Sequence, residues 1–142
     1  MPTRSMPILD QLVAAVLDTH VWVWCAAGDA RAAALARFSG RMIIPAICVW
    51  EVAMLAARGR LILQPDTASW VQANLDPPAS LEPLTPEIAI ESCRLPDFHG
   101  DPADRMIVAT ASVLGLPLIT ADAAIHKWNR RARRLQLVKC GP

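Results

Sequence analysis

The sequence predicts an α/β fold in which a parallel β-sheet is covered by helices on both faces. Apolar runs of four or five residues alternate with helical patterns, and Gly, Pro and Asp turn signals separate them. The chain has 142 residues, of which 54% are hydrophobic and 19% charged. This length and composition fit a single globular domain and exclude a disordered chain.

The first half is predicted to contain two buried strands and four helical segments after an extension without periodicity. We expect the extension at 1–12 and the single domain at 13–142. Gly28-Asp29 and Arg58-Gly59 interrupt the helical patterns. The predicted strands cover 13–17 and 42–45, and the helical segments cover 20–27, 30–38, 47–57 and 67–75.

The second half continues the alternation. Thr85-Pro86 predicts a capped helix start with Pro at the first helical position. The uncharged run at 106–121 contains Gly115-Leu116-Pro117, which divides it into a helix and a strand and argues against a membrane span. Strands are predicted at 81–84, 116–120 and 135–138, and helices from 86, at 102–114 and at 122–128.

The cysteines and the N-terminus indicate a cytoplasmic protein. Cys25, Cys48, Cys93 and Cys140 form no CxxC pair, so we expect buried thiols in a reducing compartment rather than disulfides or a zinc site. No signal peptide is expected before the first apolar segment. The predicted localisation is therefore the cytoplasm, without a membrane contact.

The formal net charge of +1 conceals an asymmetry along the chain. Residues 1–122 contain all 13 acidic residues and eight of the 14 basic ones, for −5, while residues 123–142 contain six basic residues and no acid, for +6. A basic segment beside an acidic body is compatible with a nucleic-acid substrate. It is equally compatible with a solvated terminal helix and strand.

Two carboxylates precede the apolar helix of the stretch HGDPADRMIVATA at 99–111. Asp101 and Pro102 fit an N-cap followed by Pro at the first helical position. Asp104 then lies in the first turn, where an acid interacts favourably with the helix dipole. Asp104 either serves this helix start or belongs to a functional site, and the stretch alone leaves both readings open.

Asp18 and Asp122 each follow a predicted strand and precede a predicted helix, in VAAVLDTH and LPLITAD. Ligand sites of open parallel sheets lie beyond the carboxyl ends of the strands. The alternative is that each acid simply caps the helix that follows.

Glu51 lies inside the apolar helix PAICVWEVAMLAARG, with no Lys or Arg three or four residues away. An unpaired buried carboxylate costs several kcal/mol. Glu51 therefore either occupies an exposed stripe of the helix or needs a cation from outside it.

If Asp18, Glu51, Asp104 and Asp122 converge, their repulsion raises their pKa values or requires a divalent cation. Oxygen ligands alone favour Mg²⁺ or Mn²⁺ over zinc. His20, His99 and His126 show no metal-ligand spacing, and we expect them to be surface or packing residues.

Four blocks in order, LDTHVWVW, VWEVAMLAARGRL, HGDPADRMIVATA and LPLITAD, resemble PIN-domain proteins over nearly the whole chain from residue 16. They are most similar to the toxins of VapBC-type toxin–antitoxin pairs. The resemblance implies a PIN-like three-layer sandwich with a central parallel sheet. It places the acidic residues of the family's metal site on Asp18, Glu51, Asp104 and Asp122. Cys48 departs from the Ser or Thr that members often carry three residues before the Glu.

The activity implied is that of a Mg²⁺- or Mn²⁺-dependent endoribonuclease toxin, using one or two ions and leaving 5′-phosphate and 3′-hydroxyl ends. Its partners would be an RNA substrate, a cognate antitoxin and a second copy of the chain in a homodimer. The antitoxin is expected near the helices at 47–57 and 67–75.

The sequence leaves two alternative roles open for several side chains. Arg105 either contacts RNA or pairs with Asp101 on the helix surface. Four of the five tryptophans either stack on bases or belong to the core; these four are Trp22, Trp24, Trp50 and Trp128.

Two rival functions remain. A response-regulator receiver domain would need a phosphoacceptor Asp after a central strand and a late strand-end Lys, and neither is evident. A non-catalytic PIN-like module that binds RNA or protein would be expected to have lost one of the four acids.

Overall fold

A computed structural model of the chain describes residues 9–99 and 101–141. Residues 1–8, which form most of the expected extension, lie outside the described residues. The described part forms five strands, namely β1 (Ala14–Leu17), β2 (Arg41–Pro45), β3 (Ala79–Glu82), β4 (Leu118–Thr120) and β5 (Leu137–Lys139).

Six α-helices connect or follow these strands. They are α1 (Thr19–Ala27), α2 (Ala46–Ala57), α3 (Thr67–Ala73), α4 (Pro86–Ser92), α5 (Pro102–Leu114) and α6 (Ala123–Ala132). Short 3-10 segments cover Leu9–Gln11 and Ala30–Arg37. Leu9 and Leu12, inside the expected extension, pack against the hydrophobic core.

The strands form one parallel sheet in the order β3-β2-β1-β4-β5, which confirms the predicted fold class. From β1 the chain moves outward through β2 to β3, then returns to β4 on the other side of β1. Right-handed crossovers of opposite direction place their helices on opposite faces of the sheet. The order therefore reverses between β1 and β4, at the centre of the sheet.

The central strands β1 and β4 form the core because all their side chains except that of Thr120 are apolar. Val16, Leu17 and Leu118 have no exposed surface. Across the sheet they pack with helical residues such as Ile107 and Val108, which are also fully buried. In the described residues, no helix has the length and apolarity to cross a membrane.

Three elements differ from the sequence prediction. The segment at Ala30–Arg37 is a 3-10 helix because its buried residues, Ala32, Leu35 and Phe38, recur every third position, which is the 3-10 repeat. Strand β3 pairs with β2 through Ala79–Glu82 rather than 81–84, because Pro83 has no N–H to continue the ladder.

Helix α6 extends to Ala132, four residues beyond the prediction. Its end is held by the Asn129 side chain, whose Oδ1 accepts the backbone N–H groups of Arg134 and Leu135 at 3.0 Å each. A side-chain cap of this kind satisfies the end of the helix without the Gly that usually marks it in a sequence.

Candidate functional site

The predicted acids meet at the carboxyl edge of the sheet, above the gap between β1 and β4. Asp18 follows β1 and Asp122 follows β4 after one further residue. These strands are neighbours in the sheet, and the strand order reverses between them. Ligands bind open α/β sheets at such a reversal. The two acids therefore lie at the position where this fold class binds its ligands.

Asp18 is almost fully buried, and two hydrogen bonds orient its side chain. Its Oδ1 accepts the backbone N–H of Thr19 at 2.7 Å, and its Oδ2 accepts the hydroxyl of Thr120 at 2.6 Å. The same Thr120 oxygen accepts the backbone N–H of Asp122 at 3.0 Å. Burial raises the pKa of Asp18 despite these hydrogen bonds. Thr120 thus connects the two acids that follow the central strands.

Glu51 does not lie on an exposed stripe of α2, and the described residues supply no cation to pair with it. It is half-buried on α2, and its Oε1 accepts the hydroxyl of Thr19 at 2.5 Å. No ion pair to Glu51 occurs in the described part of the chain. Burial raises the pKa of Glu51, and the charge of Asp18 raises it further. Cys48 is buried and directs its thiol at the Leu17 carbonyl, 3.8 Å away, so Thr19 alone supplies the hydroxyl.

Asp101, not Asp104, is the cap of α5. The Asp101 side chain accepts the backbone N–H of Ala103 at 2.9 Å. The Asp104 side chain is 17% exposed and lies in the first turn, where it faces the other acids. Burial and the charges of four surrounding carboxylates raise the pKa of Asp104 to about 7; these are Asp101, Asp18, Asp122 and Glu51. The four predicted residues and Asp101 therefore share one electrostatic environment.

His99 packs its ring against Phe98 and also lies beside the acids, a position that the sequence analysis did not assign to it. Ligand atoms of His99, Asp104 and Asp122 lie within 4.8 Å of one another, and His99 Nε2 is 3.6 Å from Asp104 Oδ2. Sequence spacing to the other acids could not show this. The usable signal was its position in HGDPAD, directly before the capped start of α5.

The ring of His99 presents a hydrogen-bond donor to the cluster. The backbone N–H of Asp101 points at Nδ1, 3.4 Å away, so Nδ1 is the acceptor and the neutral ring carries its proton on Nε2. Nε2 is buried and has no hydrogen-bond partner among the described residues. A buried donor without a partner is costly in a folded protein. This N–H is therefore available to an acceptor from outside the chain.

The donor set fits a hard divalent cation. The four predicted ligands carry carboxylate oxygens, which Mg²⁺ and Mn²⁺ prefer; these residues are Asp18, Glu51, Asp104 and Asp122. The raised pKa values of Asp18, Glu51 and Asp104 show that burial and mutual repulsion penalise negative charge there. A cation at that point would relieve both penalties.

Known proteins share this fold and sequence pattern. The family model described as PIN domain matches residues 15–130. Ribonuclease VapC22 of Mycobacterium tuberculosis (strain ATCC 25618 / H37Rv) is 34% identical over 116 residues, covering 78% of this chain and 88% of the relative. The chain belongs to the PIN-domain family. The resemblance to VapC-type proteins is thereby confirmed, and the chain is a homologue of a VapC ribonuclease.

Solved structures confirm the fold of this PIN domain. VapBC2 from Rickettsia felis, bound to a DNA fragment from its promoter, superposes with a TM-score of 0.65 at 14% identity, covering 89% of this chain and 98% of that one. VapBC-5 from Mycobacterium tuberculosis gives a TM-score of 0.62 at 20% identity, with coverage of 89% and 98%. VapBC-5 is a member of the VapBC family of toxin–antitoxin systems.

Arg105 has a structural role in this PIN domain that neither sequence reading anticipated. Its guanidinium donates to the carbonyls of Phe98 at 3.0 Å and Ser92 at 3.4 Å. It therefore fastens the loop before α5 to the end of α4. No ion pair between Arg105 and Asp101 occurs among the described residues.

The tryptophans divide between core and surface. Trp22 and Trp128 are buried, with 2% and 8% exposure, and their indole N–H groups donate to the carbonyls of Asn74 and Pro96. Trp24 is half-buried, beneath the guanidinium of Arg31. Trp50 is 56% exposed and remains free to contact a partner.

The cysteines are all free, as expected, but they are not all buried. Cys48 and Cys140 are buried, Cys25 is half-buried, and Cys93 is exposed at the end of α4. Burial raises the pKa of the Cys25 thiol to about 11, so this sulfur is protonated and unreactive at neutral pH.

Proposed function

We propose that this protein is a Mg²⁺- or Mn²⁺-dependent endoribonuclease toxin that a cognate antitoxin neutralises. One observation carries the proposal: Asp104 and Asp122 bring carboxylate oxygens within 4.8 Å of each other, and Thr120 links Asp122 to buried Asp18 at the strand-order reversal. Burial and the surrounding carboxylates accordingly raise the pKa of Asp104 to about 7. Repulsion among clustered carboxylates lowers the stability of the folded protein, so such a cluster indicates a functional site. Homology to Ribonuclease VapC22 over most of the chain supports RNA as the substrate.

Each acid has a proposed role. Asp18, Glu51 and Asp104 would be the principal metal ligands, and Asp122 would complete the site directly or through water. Thr120 and Thr19 orient Asp18 and Glu51 through hydrogen bonds and so fix the donor oxygens. When bound, the cation would stabilise charge on the phosphodiester and activate water for in-line attack. The 2′-hydroxyl then takes no part, so the products would carry 5′-phosphate and 3′-hydroxyl ends.

Chelation provides the first test of this proposal. Protein freed of any partner should cleave structured RNA with Mg²⁺ or Mn²⁺ and stop in EDTA, with recovery on adding excess metal. Cleavage that persists in EDTA, or products with 2′,3′-cyclic phosphate, would exclude the metal-dependent mechanism. Tight RNA binding without cleavage under any metal would favour the non-catalytic module instead.

The proposed antitoxin site is the groove between α2 and α3. This open groove has a volume of about 710 Å³ and is lined mainly by apolar side chains, including Val49, Val71 and Leu75. Exposed Trp50 follows Val49 on α2. We expect an antitoxin segment to pack there and place a basic side chain near the acids. Val71→Glu should weaken antitoxin binding while leaving RNA cleavage intact; a bound antitoxin that left cleavage undiminished would contradict the blocking model.

The proposed homodimer would form through the outer surface of α4 and α5. Ile90 and Val113 are 51% and 41% exposed on these two packed helices, and Leu114 is 36% exposed. Light scattering should report a dimer for the parent protein and a monomer for Val113→Arg. The control Ile62→Lys changes an apolar residue that is 81% exposed elsewhere and should leave the mass unchanged.

A further inference from the structure

A cavity separate from the groove between α2 and α3 adjoins the acidic cluster, between the loop at 96–99 and helix α6. Its volume is about 540 Å³, within the range of small-molecule sites. His99 lines this cavity and also lies beside Asp104 and Asp122, so the cavity and the acidic cluster share this side chain. A ligand in the cavity would therefore lie next to the point where the carboxylates converge.

The α6 side of the cavity is positively charged. Lys127 and Arg131 both line it, and their spacing of four residues places them on the same face of the helix. Both are exposed, and neither forms an ion pair within the described residues. Paired cations of this kind bind phosphate, with Arg able to bind two oxygens at once.

The rest of the cavity lining can contact a nucleobase. Trp128 presents apolar ring surface, since its indole N–H is already bonded to the Pro96 carbonyl at 2.7 Å. Asp97, on the loop side, adopts the left-handed backbone conformation with φ of 56°. Its carboxylate would repel a phosphate but accepts hydrogen bonds from the amino groups of bases. The charges therefore orient a nucleotide with its phosphate toward α6.

We propose that this cavity is a nucleotide subsite that holds a residue of single-stranded RNA next to the scissile bond. Lys127 and Arg131 bind its phosphate, and the Nε2–H of His99 donates to a phosphoryl oxygen at the boundary with the acidic cluster. This inference rests on the proposed function for the position of the scissile bond. The donor of His99 without a partner and the paired cations are two independent features that fit one anionic ligand.

The test is metal-free binding of a labelled single-stranded RNA decamer in EDTA. The variant Lys127→Gln/Arg131→Gln should weaken binding about tenfold. Each phosphate neutralised on a single strand contributes about 0.7 to the slope of log affinity against log salt, so losing the one phosphate that both cations bind should lower the slope by about 0.7. The control Arg58→Gln/Arg60→Gln removes the same charge from exposed residues at the end of α2 and should change neither value. Equal behaviour of the two double variants would overturn the subsite.

A charge-neutral variant separates the cavity from general attraction to α6. Ala124 is exposed and lines the cavity. Ala124→Leu should fill part of the space and weaken RNA binding, whereas Ala57→Leu at the end of α2 should not. If Ala124→Leu bound RNA as tightly as Ala57→Leu, the nucleotide would not enter the cavity and the proposal would fail.

His99→Ala separates a substrate donor from a metal ligand. We expect weaker RNA binding in EDTA but an unchanged gain in melting temperature from Mn²⁺. A reduced Mn²⁺ gain with unchanged RNA binding would make His99 a ligand and overturn its assignment to substrate.

These readouts distinguish the subsite from the nuclease proposal. If the parent protein cleaved RNA and the cavity variants matched their controls, the subsite alone would fail. If no cleavage occurred but the cavity variants lost RNA affinity, the nuclease proposal alone would fail.

Discussion

Aspartates cap helices in two regions of this protein, and the effect of the surroundings on their charge is opposite. On the outer surface, Asp29 and Asp66 cap the 3-10 segment and α3, and their hydrogen bonds lower both pKa values, that of Asp29 to about 2. At the carboxyl edge of the sheet, Asp18 caps α1 with a similar backbone hydrogen bond, yet its pKa is raised.

This difference shows that one aspartate can both cap a helix and belong to the acidic cluster. Asp18, Asp101 and Asp122 all cap helices and all lie in the acidic cluster. Capping requires only a local N–H group, and solvent then keeps the charge stable. At Asp18, burial removes that benefit and raises the pKa, so the cluster indicates a requirement beyond local structure. Asp104 is the clearest case because it caps nothing.

Asp104→Asn should have the largest effect on this comparison. RNA cleavage should fall by orders of magnitude, because the substitution removes a proposed ligand from the metal. The apo protein should be as stable as the parent or more so, since the substitution relieves repulsion among the acids. The gain in melting temperature from Mn²⁺ should shrink, because that gain measures binding to the folded state.

The surface cap provides the matched control for that variant. Asp66→Asn should keep full cleavage and the full Mn²⁺ gain. An Asp104→Asn protein that was less stable in EDTA but still cut RNA would place Asp104 among ordinary helix-end residues.

Thr120→Val should show a smaller effect through orientation. The fully buried Thr120 hydroxyl links Asp18 to the backbone of Asp122. Its loss should lower cleavage about 10–100-fold and destabilise the protein by about 1–3 kcal/mol. Thr110→Val is the matched control, since the buried Thr110 hydroxyl bonds only to the Met106 carbonyl of its own helix. Equal cleavage by both variants would remove Thr120 from the site.

The stability of the metal-free protein should decrease as pH rises from 5 to 8. The pKa of Asp104 is about 7 in the folded state against an ordinary 3.8. Between these values the folded protein holds a proton that the unfolded chain has released, so rising pH favours unfolding. The expected loss is about 1–3 kcal/mol by urea denaturation, and Asp104→Asn should flatten it. A stability that rose with pH over this range would contradict the raised pKa.

The smallest expected effect belongs to the surface cap. Asp66→Ala removes the acceptor for the Ser69 backbone N–H at 2.8 Å. The melting temperature should fall by about 2–4 °C, with RNA cleavage unchanged. Because its pKa is lowered, the contribution of Asp66 should persist above pH 4 and disappear as the pH falls through the folded-state value. Loss of cleavage in this variant would erase the distinction between the two regions.

The sequence by itself determined the local elements and therefore the fold class. Pro102 at the first helical position and Gly115 in the left-handed conformation delimit α5 as predicted, because both signals act within a few residues. The apolar runs likewise located the central strands to within two residues. The four acids were identifiable because each departs from its local pattern.

Only the tertiary structure decided what those residues contact. The Thr120–Asp18 hydrogen bond joins residues 102 positions apart, and Thr19 reaches Glu51 across 32 positions. Strand order brings β1 beside β4, and this pairing has no signature in either strand. His99 shows the same limit, because its place among the acids depends on the loop that packs it there. Secondary-structure propensity acts within one helical turn or strand, whereas burial and electrostatic interactions depend on which distant residues the fold places in contact.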